Sequence, residues 1–237
     1  MTQQELTKLK KFAKKLNIEF KDHNLLQEAL IHRSVLNELK GEGKQSNERL
    51  EFLGDAVLEL IATEYLFDKY PTRPEGDLTS FRAAVVRTES LAEAALKLDY
   101  SQYLYMSKGE EATGGRTRPY ILANSFEAVL GAIYLDQGYE IAREFVIKHL
   151  LYKLPNIINN RLDIDNKSKL QEISQELLRQ TPKYEVIEEK GPDHDKEFKV
   201  QVLIGERIYG EGQGKSKQEA EQNAAEDALA NELRKAI

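Results

Sequence analysis

Apolar residues fall at helical spacing through the first two thirds of the chain. Leu50, Leu53, Val57, Leu60 and Ile61 are separated by 3, 4, 3 and 1 positions, one stripe of a single helix. Residues 86–98 follow with Val86, Leu91, Ala95 and Leu98, and residues 121–135 with Ile121, Val129 and Ile133. Pro71, Pro74, Gly76, Gly114, Gly115, Pro119 and Gly138 punctuate these runs. The pattern predicts an all-helical domain over residues 1–154, with about seven to nine helices. Residues 155–166 open with Pro and are rich in Asn and Asp, a linker composition. The period then changes. Residues 168–180 read as a helix and 183–190 as a strand. Phe198, Val200, Val202 and Ile204 alternate strictly, which predicts a strand over 196–204 with one buried face. A third strand is expected at 206–213. Residues 216–235 are an Ala-rich helix, with Ala220, Ala224, Ala228 and Leu229 on one side, small enough to lie close to a sheet. Residues 167–237 are therefore expected to form a small α+β domain in the order α-β-β-β-α. No internal repeat or low-complexity tract is present.

Composition narrows the classes. The 237 residues are 41% hydrophobic and 31% charged, which suits a folded soluble protein. There is no cysteine, which excludes disulfides, thiolate metal sites and cysteine nucleophiles. The start, MTQQELTKLKKFAKKL, lacks the apolar core of a signal peptide. No apolar run approaches the roughly 18 residues of a membrane span. A cytoplasmic protein without a membrane partner is the expectation. The net charge is −6. Residues 165–237 hold 12 Lys+Arg against 16 Asp+Glu, a net of −4, and the rest of the chain 22 against 24, a net of −2. Binding to a polyanion must come from local basic clusters.

Three acids interrupt the apolar run NERLEFLGDAVLEL, residues 47–60: Glu48, Glu51 and Asp55. At about 100° per residue, Glu51 lies about −60° and Asp55 about −20° from Glu48, opposite the Leu50 to Ile61 stripe. A solvated helix face has the same pattern. Two details favour a metal site instead. Phe52 at about +40° and Leu58 at about −80° flank the acids with bulk that a solvent face rarely carries. Three carboxylates within two turns also repel one another, a cost that a cation removes. Gly54, mid-helix, costs about 1 kcal/mol against Ala and points to close approach by another helix, or to a tolerated glycine. In ILANSFEAVLGAIYLD, residues 121–136, Asn124 and Glu127 share a face within another apolar run. Glu51, Asp55, Asn124 and Glu127 make an oxygen-only donor set. Such sets favour hard ions such as Mg²⁺ or Mn²⁺, which act on phosphates.

HRS at 32–34, NERLEFLGDAVL at 47–58 and FEAVLGAIYLD at 126–136 closely resemble the nuclease domain of bacterial ribonuclease III, and EGDLTSFRAAVVRTESLA from Glu75 fits between them. The resemblance implies an all-α nuclease domain that forms a homodimer, with a valley of active sites between the subunits. By position, Glu51, Asp55 and Glu127 match the family's metal-binding acids, with Asp55 and Glu127 as the catalytic candidates. Glu48 matches an acid near the cleavage site tied to RNA or second-metal binding. Glu75 matches a glutamate that lies close to the RNA, and Phe52 a dimer-interface residue. Asn37 and Asn47 match polar motif positions. Asn124 stands where most members carry aspartate. An amide oxygen can ligate Mg²⁺ but brings no charge, so the metal should bind more weakly. Three readings stay open: a natural nuclease variant with a compensated site, an engineered change that traps a complex, and a catalytically weakened or dead double-stranded RNA-binding protein.

The C-terminal segments LQEISQELL at 170–178, GPDHDKEFKVQVLIG at 191–205 and GQGKSKQEAEQNAAEDAL at 212–229 resemble a double-stranded RNA-binding domain. Gly212 and Gly214 permit close approach. Lys215, Ser216 and Lys217 fall at a helix N-terminus, where backbone N–H groups and the dipole favour phosphate; an ordinary surface also tolerates two such lysines. Gln171, Glu172 and His194 are placed to reach 2′-hydroxyls across the shallow minor groove of A-form RNA. Gln218 occupies a position often basic in this domain, so RNA affinity should be modest and steeply salt-dependent. The whole resemblance implies a Mg²⁺-dependent endoribonuclease for double-stranded RNA, with Mn²⁺ able to substitute. It further implies products with 5′-phosphates, 3′-hydroxyls and short 3′ overhangs, cut from ribosomal and messenger RNA precursors.

Overall fold

The structure is a computed structural model that describes residues 2–36, 38, 45–192 and 195–231. It divides into two units, Met1–Asp163 and Ile164–Ile237, each with its own core. Among the described residues the first unit holds nine α-helices: α1 (Gln3–Leu16), α2 (His23–Ala29), α3 (Glu48–Lys69), α4 (Glu75–Val86), α5 (Thr88–Lys97), α6 (Lys108–Ala112), α7 (Pro119–Gln137), α8 (Tyr139–His149) and α9 (Leu154–Asn159).

Helix α7 is the axis of this unit. Ile121, Leu122, Phe126, Val129, Leu130 and Ile133 leave almost none of its circumference polar, and all are buried. A helix apolar all round needs neighbours on every side, and α2, α3, α5 and α8 supply them. Helix α3 comes closest. A Cβ on Gly54 would lie 1.8 Å from the Glu127 carbonyl oxygen, and one on Gly131 would lie 2.3 Å from that of Leu50. The backbones touch where neither residue has a side chain, so Gly54 marks the close approach its position suggested.

Two residues of α3 depart from the ideal stripe: Leu60 is exposed and Leu58 is buried. Helix α3 packs on α4, α8 and α2 as well as α7, so its buried arc is wider than one stripe and rotated from it. Leu58 belongs to the core and does not flank the acids at the surface. The expected linker is also corrected. Leu154–Asn159 is helix α9, and its Leu154 and Ile157 are buried. Pro155 lies in its first turn, where a missing N–H leaves no bond unmade. The division between the units falls after Asp163, not 154.

The second unit runs α10 (Asn166–Leu178), β1 (Lys183–Lys190), β2 (Glu197–Ile204), β3 (Arg207–Gly214) and α11 (Lys217–Asn231), with an antiparallel sheet in the order β1-β2-β3. The alternation in β2 buries Val200, Val202 and Ile204 with Leu170, Ala220, Ala224 and Ala228. Glycine on the sheet meets alanine on the helix: a Cβ on Gly212, paired with Val200, would lie 2.1 Å from the Ala224 nitrogen. No described helix is long and apolar enough to cross a membrane.

Candidate active site

The crossing of α3 and α7 sets acids from both helices into one electrostatic cluster. Glu51, Asp55 and Glu59 recur every four residues along α3, and the Glu127 backbone lies against Gly54. Burial first, then the charges of Asp55, Glu51 and Glu59, push the Glu127 carboxyl up to about 7. Glu51 is also raised, by burial and by Glu48 and Asp55, against a hydrogen bond from Asn124. The Asn124 amide thus donates to a neighbour that an aspartate would repel. Among the described residues no three His, Cys, Asp or Glu side chains are placed to hold a metal ion. The carboxylates sense one another's charge, but their side chains would have to draw together to hold one ion.

A cleft of about 360 Å³ is lined by His32, Arg33, Asn47, Glu48, Glu51, Tyr120, Ile121 and Asn124. Asp55 and Glu127 are not among its lining residues. Glu48, the first residue of α3, accepts a bond from Ser46 Oγ at 2.7 Å and lies 3.8 Å from the Arg33 guanidinium. Asn47 is buried; its N–H donates to the Ile31 carbonyl at 2.9 Å and its carbonyl accepts from the Glu51 N–H at 2.8 Å. Glu75 opens α4 and accepts from the Thr79 hydroxyl at 2.9 Å. It lines a separate pocket of about 450 Å³ with Phe67, Arg73 and Arg82, and not the cleft at Glu51. Phe52 is 81% exposed.

In the second unit Gln171 and Glu172 are exposed on α10. The Lys215 ammonium lies 2.7 Å from Asp195 and 3.3 Å from Glu197, so its charge is already met. Ser216 Oγ accepts from the Glu219 N–H at 3.1 Å, and the Glu219 carboxylate accepts from the Lys215 N–H at 2.7 Å. The helix start is thereby capped from within the chain. The Lys217 ammonium stands 5.6 Å above the centre of the Phe198 ring. Asn37 and His194 lie outside the described residues.

Residues 22–154 match the family model described as Ribonuclease-III-like, and residues 166–232 match the Double-stranded RNA binding motif. The chain belongs to the ribonuclease III family. It is 50% identical to the Ribonuclease 3 of Desulforamulus reducens over 91% of this chain and 88% of that protein. It is 48% identical to that of Pelotomaculum thermopropionicum over 96% and 93%. Among solved structures, it resembles the nuclease domain of ribonuclease III from Campylobacter jejuni, described for flexibility in the region involved in dimer formation. The TM-score is 0.56 at 43% identity, covering 61% of this chain and 97% of that one. With a ribonuclease III nuclease domain joined to a double-stranded RNA binding motif, the chain is a double-stranded-RNA endoribonuclease.

For this ribonuclease III chain, sequence reasoning gave no site role to Glu59, Tyr120, or His32 and Arg33, although the last two lie in the HRS motif. Glu59 was legible, since it continues the step from Glu51 to Asp55 by one more turn; it also pairs with Arg82 at 3.0 Å. Tyr120 lies in the first turn of α7. His32 and Arg33 sit at a short 3₁₀ turn with no periodic signal, and only the fold brings them to the cleft.

Proposed function

We propose that this chain cleaves double-stranded RNA as a homodimer, with Mg²⁺ or Mn²⁺ held by Glu51, Asp55, Glu127 and the amide oxygen of Asn124. The reading is carried by Glu127, a carboxyl raised to about 7 by burial and by acids from the helix it crosses. Neutral pH leaves such a cluster short of positive charge, the condition a divalent cation relieves. Its oxygen-only donors suit a hard ion. When bound, the ion lowers the pKa of a water and offsets charge developing on the phosphodiester. Near pH 7 Glu127 is only partly ionised without that positive charge, so metal uptake would expel part of a proton. Asn124 adds a neutral donor, which leaves three anionic ligands and a weaker hold. Glu48 and Glu75 border the RNA, with Asp55 and Glu127 nearest the chemistry. Gln171, Glu172, His194, Lys215, Ser216 and Lys217 form the RNA face of the second unit.

The homodimer reading is supported by α3 itself. Phe52, Leu60 and Phe67 are 81%, 58% and 70% exposed. They share an arc of about 80° beside the acids. Large apolar groups lined up this way mark a contact surface, and a second copy of α3 is its natural cover. Products with 5′-phosphates and 3′-hydroxyls, and precursors of ribosomal and messenger RNA as substrates, complete the proposal.

Incubating the chain with duplex RNA and Mg²⁺, then Mn²⁺, tests it. Wild type is expected to cut, and Glu127→Gln to bind RNA without cutting. Cutting by Glu127→Gln overturns that assignment. No cutting by wild type or by Asn124→Asp leaves an RNA-binding protein without catalysis.

A further inference from the structure

His32 is clamped into the cleft by its backbone and by its ring. Its N–H donates to the Tyr105 carbonyl at 2.9 Å, and the Ile31 carbonyl accepts from the N–H of Asn47 at 2.9 Å. Residues 31 and 32 thus join the start of α3 to the segment around Tyr105. On the ring side, the Ser107 N–H donates to Ser34 Oγ at 3.0 Å. Ser34 Oγ lies 2.9 Å from His32 Nδ1, and the Ser34 N–H points at the same nitrogen at 3.4 Å. A backbone N–H can only donate, so Nδ1 is the acceptor, and the Ser34 hydroxyl turns its proton toward it. The neutral ring therefore carries its proton on Nε2. That N–H has no partner among the described residues, and the ring lines the cleft with Arg33, Glu48, Glu51, Tyr120 and Asn124. Burial, the largest influence on the ring, lowers its pKa, so the neutral form prevails near pH 7.

The cleft therefore has two chemical walls. Glu48 and Glu51 repel anions, whereas His32 and Arg33 present N–H donors. Arg33 is mostly exposed, and at 3.8 Å its contact with Glu48 is too long for a hydrogen bond. Two donors side by side suit an anionic oxygen that bears several lone pairs. We propose that His32 Nε2–H and the Arg33 guanidinium bind a phosphate of the RNA strand beside the bond that is cut, with Ser34 as the positioning residue that fixes the ring's tautomer. The inference rests on the nuclease reading and adds to it a phosphate subsite that involves none of the proposed metal ligands.

Nitrogen-15 spectra of the labelled full-length chain, with the ring assigned by its loss in His32→Gln, test the tautomer first. The proton is expected on Nε2 in wild type and less completely there in Ser34→Ala, where only the long backbone N–H contact still holds Nδ1; a proton on Nδ1 in wild type overturns the proposal. Adding duplex RNA without divalent ions should shift Nε2. In single-turnover cleavage, His32→Ala should be slower by about 10- to 100-fold, the worth of one hydrogen bond to a charged group. His32→Gln, whose amide nitrogen reaches near the Nε2 position, should recover most of the rate, and His32→Asn should not. Replacing single phosphates near the cut by methylphosphonate should slow wild type at one linkage and slow His32→Ala less there, since only Arg33 still holds that phosphate; equal sensitivity of both overturns the proposal. If wild type does not cut at all, the nuclease reading fails, and the Nε2 shift decides: a shift supports the phosphate subsite and its absence overturns it.

Discussion

Gly54→Ala is the sharpest test of how the fold builds the site. The added Cβ would lie 1.8 Å from the Glu127 carbonyl oxygen, whereas real Cβ contacts essentially never fall under 3.0 Å, so α3 and α7 must separate by at least 1.2 Å at their crossing. The obstacle is backbone and cannot rotate away. Overpacking of this kind costs about 1–3 kcal/mol, and a rigid neighbour places it at the upper end. Alanine returns about 1 kcal/mol of helix propensity. The net expectation is a loss of about 2 kcal/mol, roughly thirtyfold in the folding equilibrium. Urea unfolding should show a lower midpoint at unchanged slope. Gly76→Ala in α4 is the control, because nothing lies within 4 Å of its Cβ; it should be neutral or stabilised by up to about 1 kcal/mol. Since Glu127 would move relative to Asp55, cleavage by Gly54→Ala should also fall, by about a hundredfold for a displacement near 1 Å. A Gly54→Ala chain as stable as Gly76→Ala would refute the close crossing.

Tyr100 is fully buried and its hydroxyl has no hydrogen-bond partner among the described residues; Tyr100→Phe should therefore stabilise the chain by about 1 kcal/mol in urea, and a loss of stability would show that the hydroxyl is satisfied. Because the folded-state pKa of Glu127 is raised to about 7, the folded chain holds more protons than the unfolded one above the ordinary glutamate range. In chelator, stability should fall as pH rises from about 4.5 to about 7, by roughly 3 kcal/mol at most, since the group is partly solvated. Glu127→Gln should flatten that profile, and an unchanged slope would contradict the buried-acid account. Asp195→Asn should loosen the hold on Lys215, leaving only Glu197 beside it, and tighten duplex RNA binding, while Lys215→Ala should lower the log–log salt slope by about 1; if both leave binding unaltered, this helix start does not face RNA.

Periodicity located α3, α5 and α7 of the first unit and β2 of the second, because one buried face per element leaves a clean pattern. It erred where an element is buried on more than one side. Leu58 and Leu60 exchanged roles because α3 has four helical neighbours. It also erred where composition and packing disagree: Pro, Asn and Asp suggested a linker at 155–166, yet Ile157 and Leu154 are held by the core. The acid stripe was legible from angles alone, and so was Gly54. That Glu59 couples to Glu127 needed the crossing geometry. Neither the capping of the second unit's helix by Glu219 nor the pairing of Lys215 with Asp195 could be read from spacing, since the strand turn and the helix start meet only in the folded module.

The central claim is that acids from two crossing helices share divalent ions. Calorimetric titration of Mn²⁺ into the wild type, Asn124→Asp and Glu127→Gln tests it most directly. Saturable binding by wild type, with proton release, is expected. It should tighten by about tenfold or more in Asn124→Asp and weaken at least as much in Glu127→Gln. Identical isotherms for all three chains would contradict it.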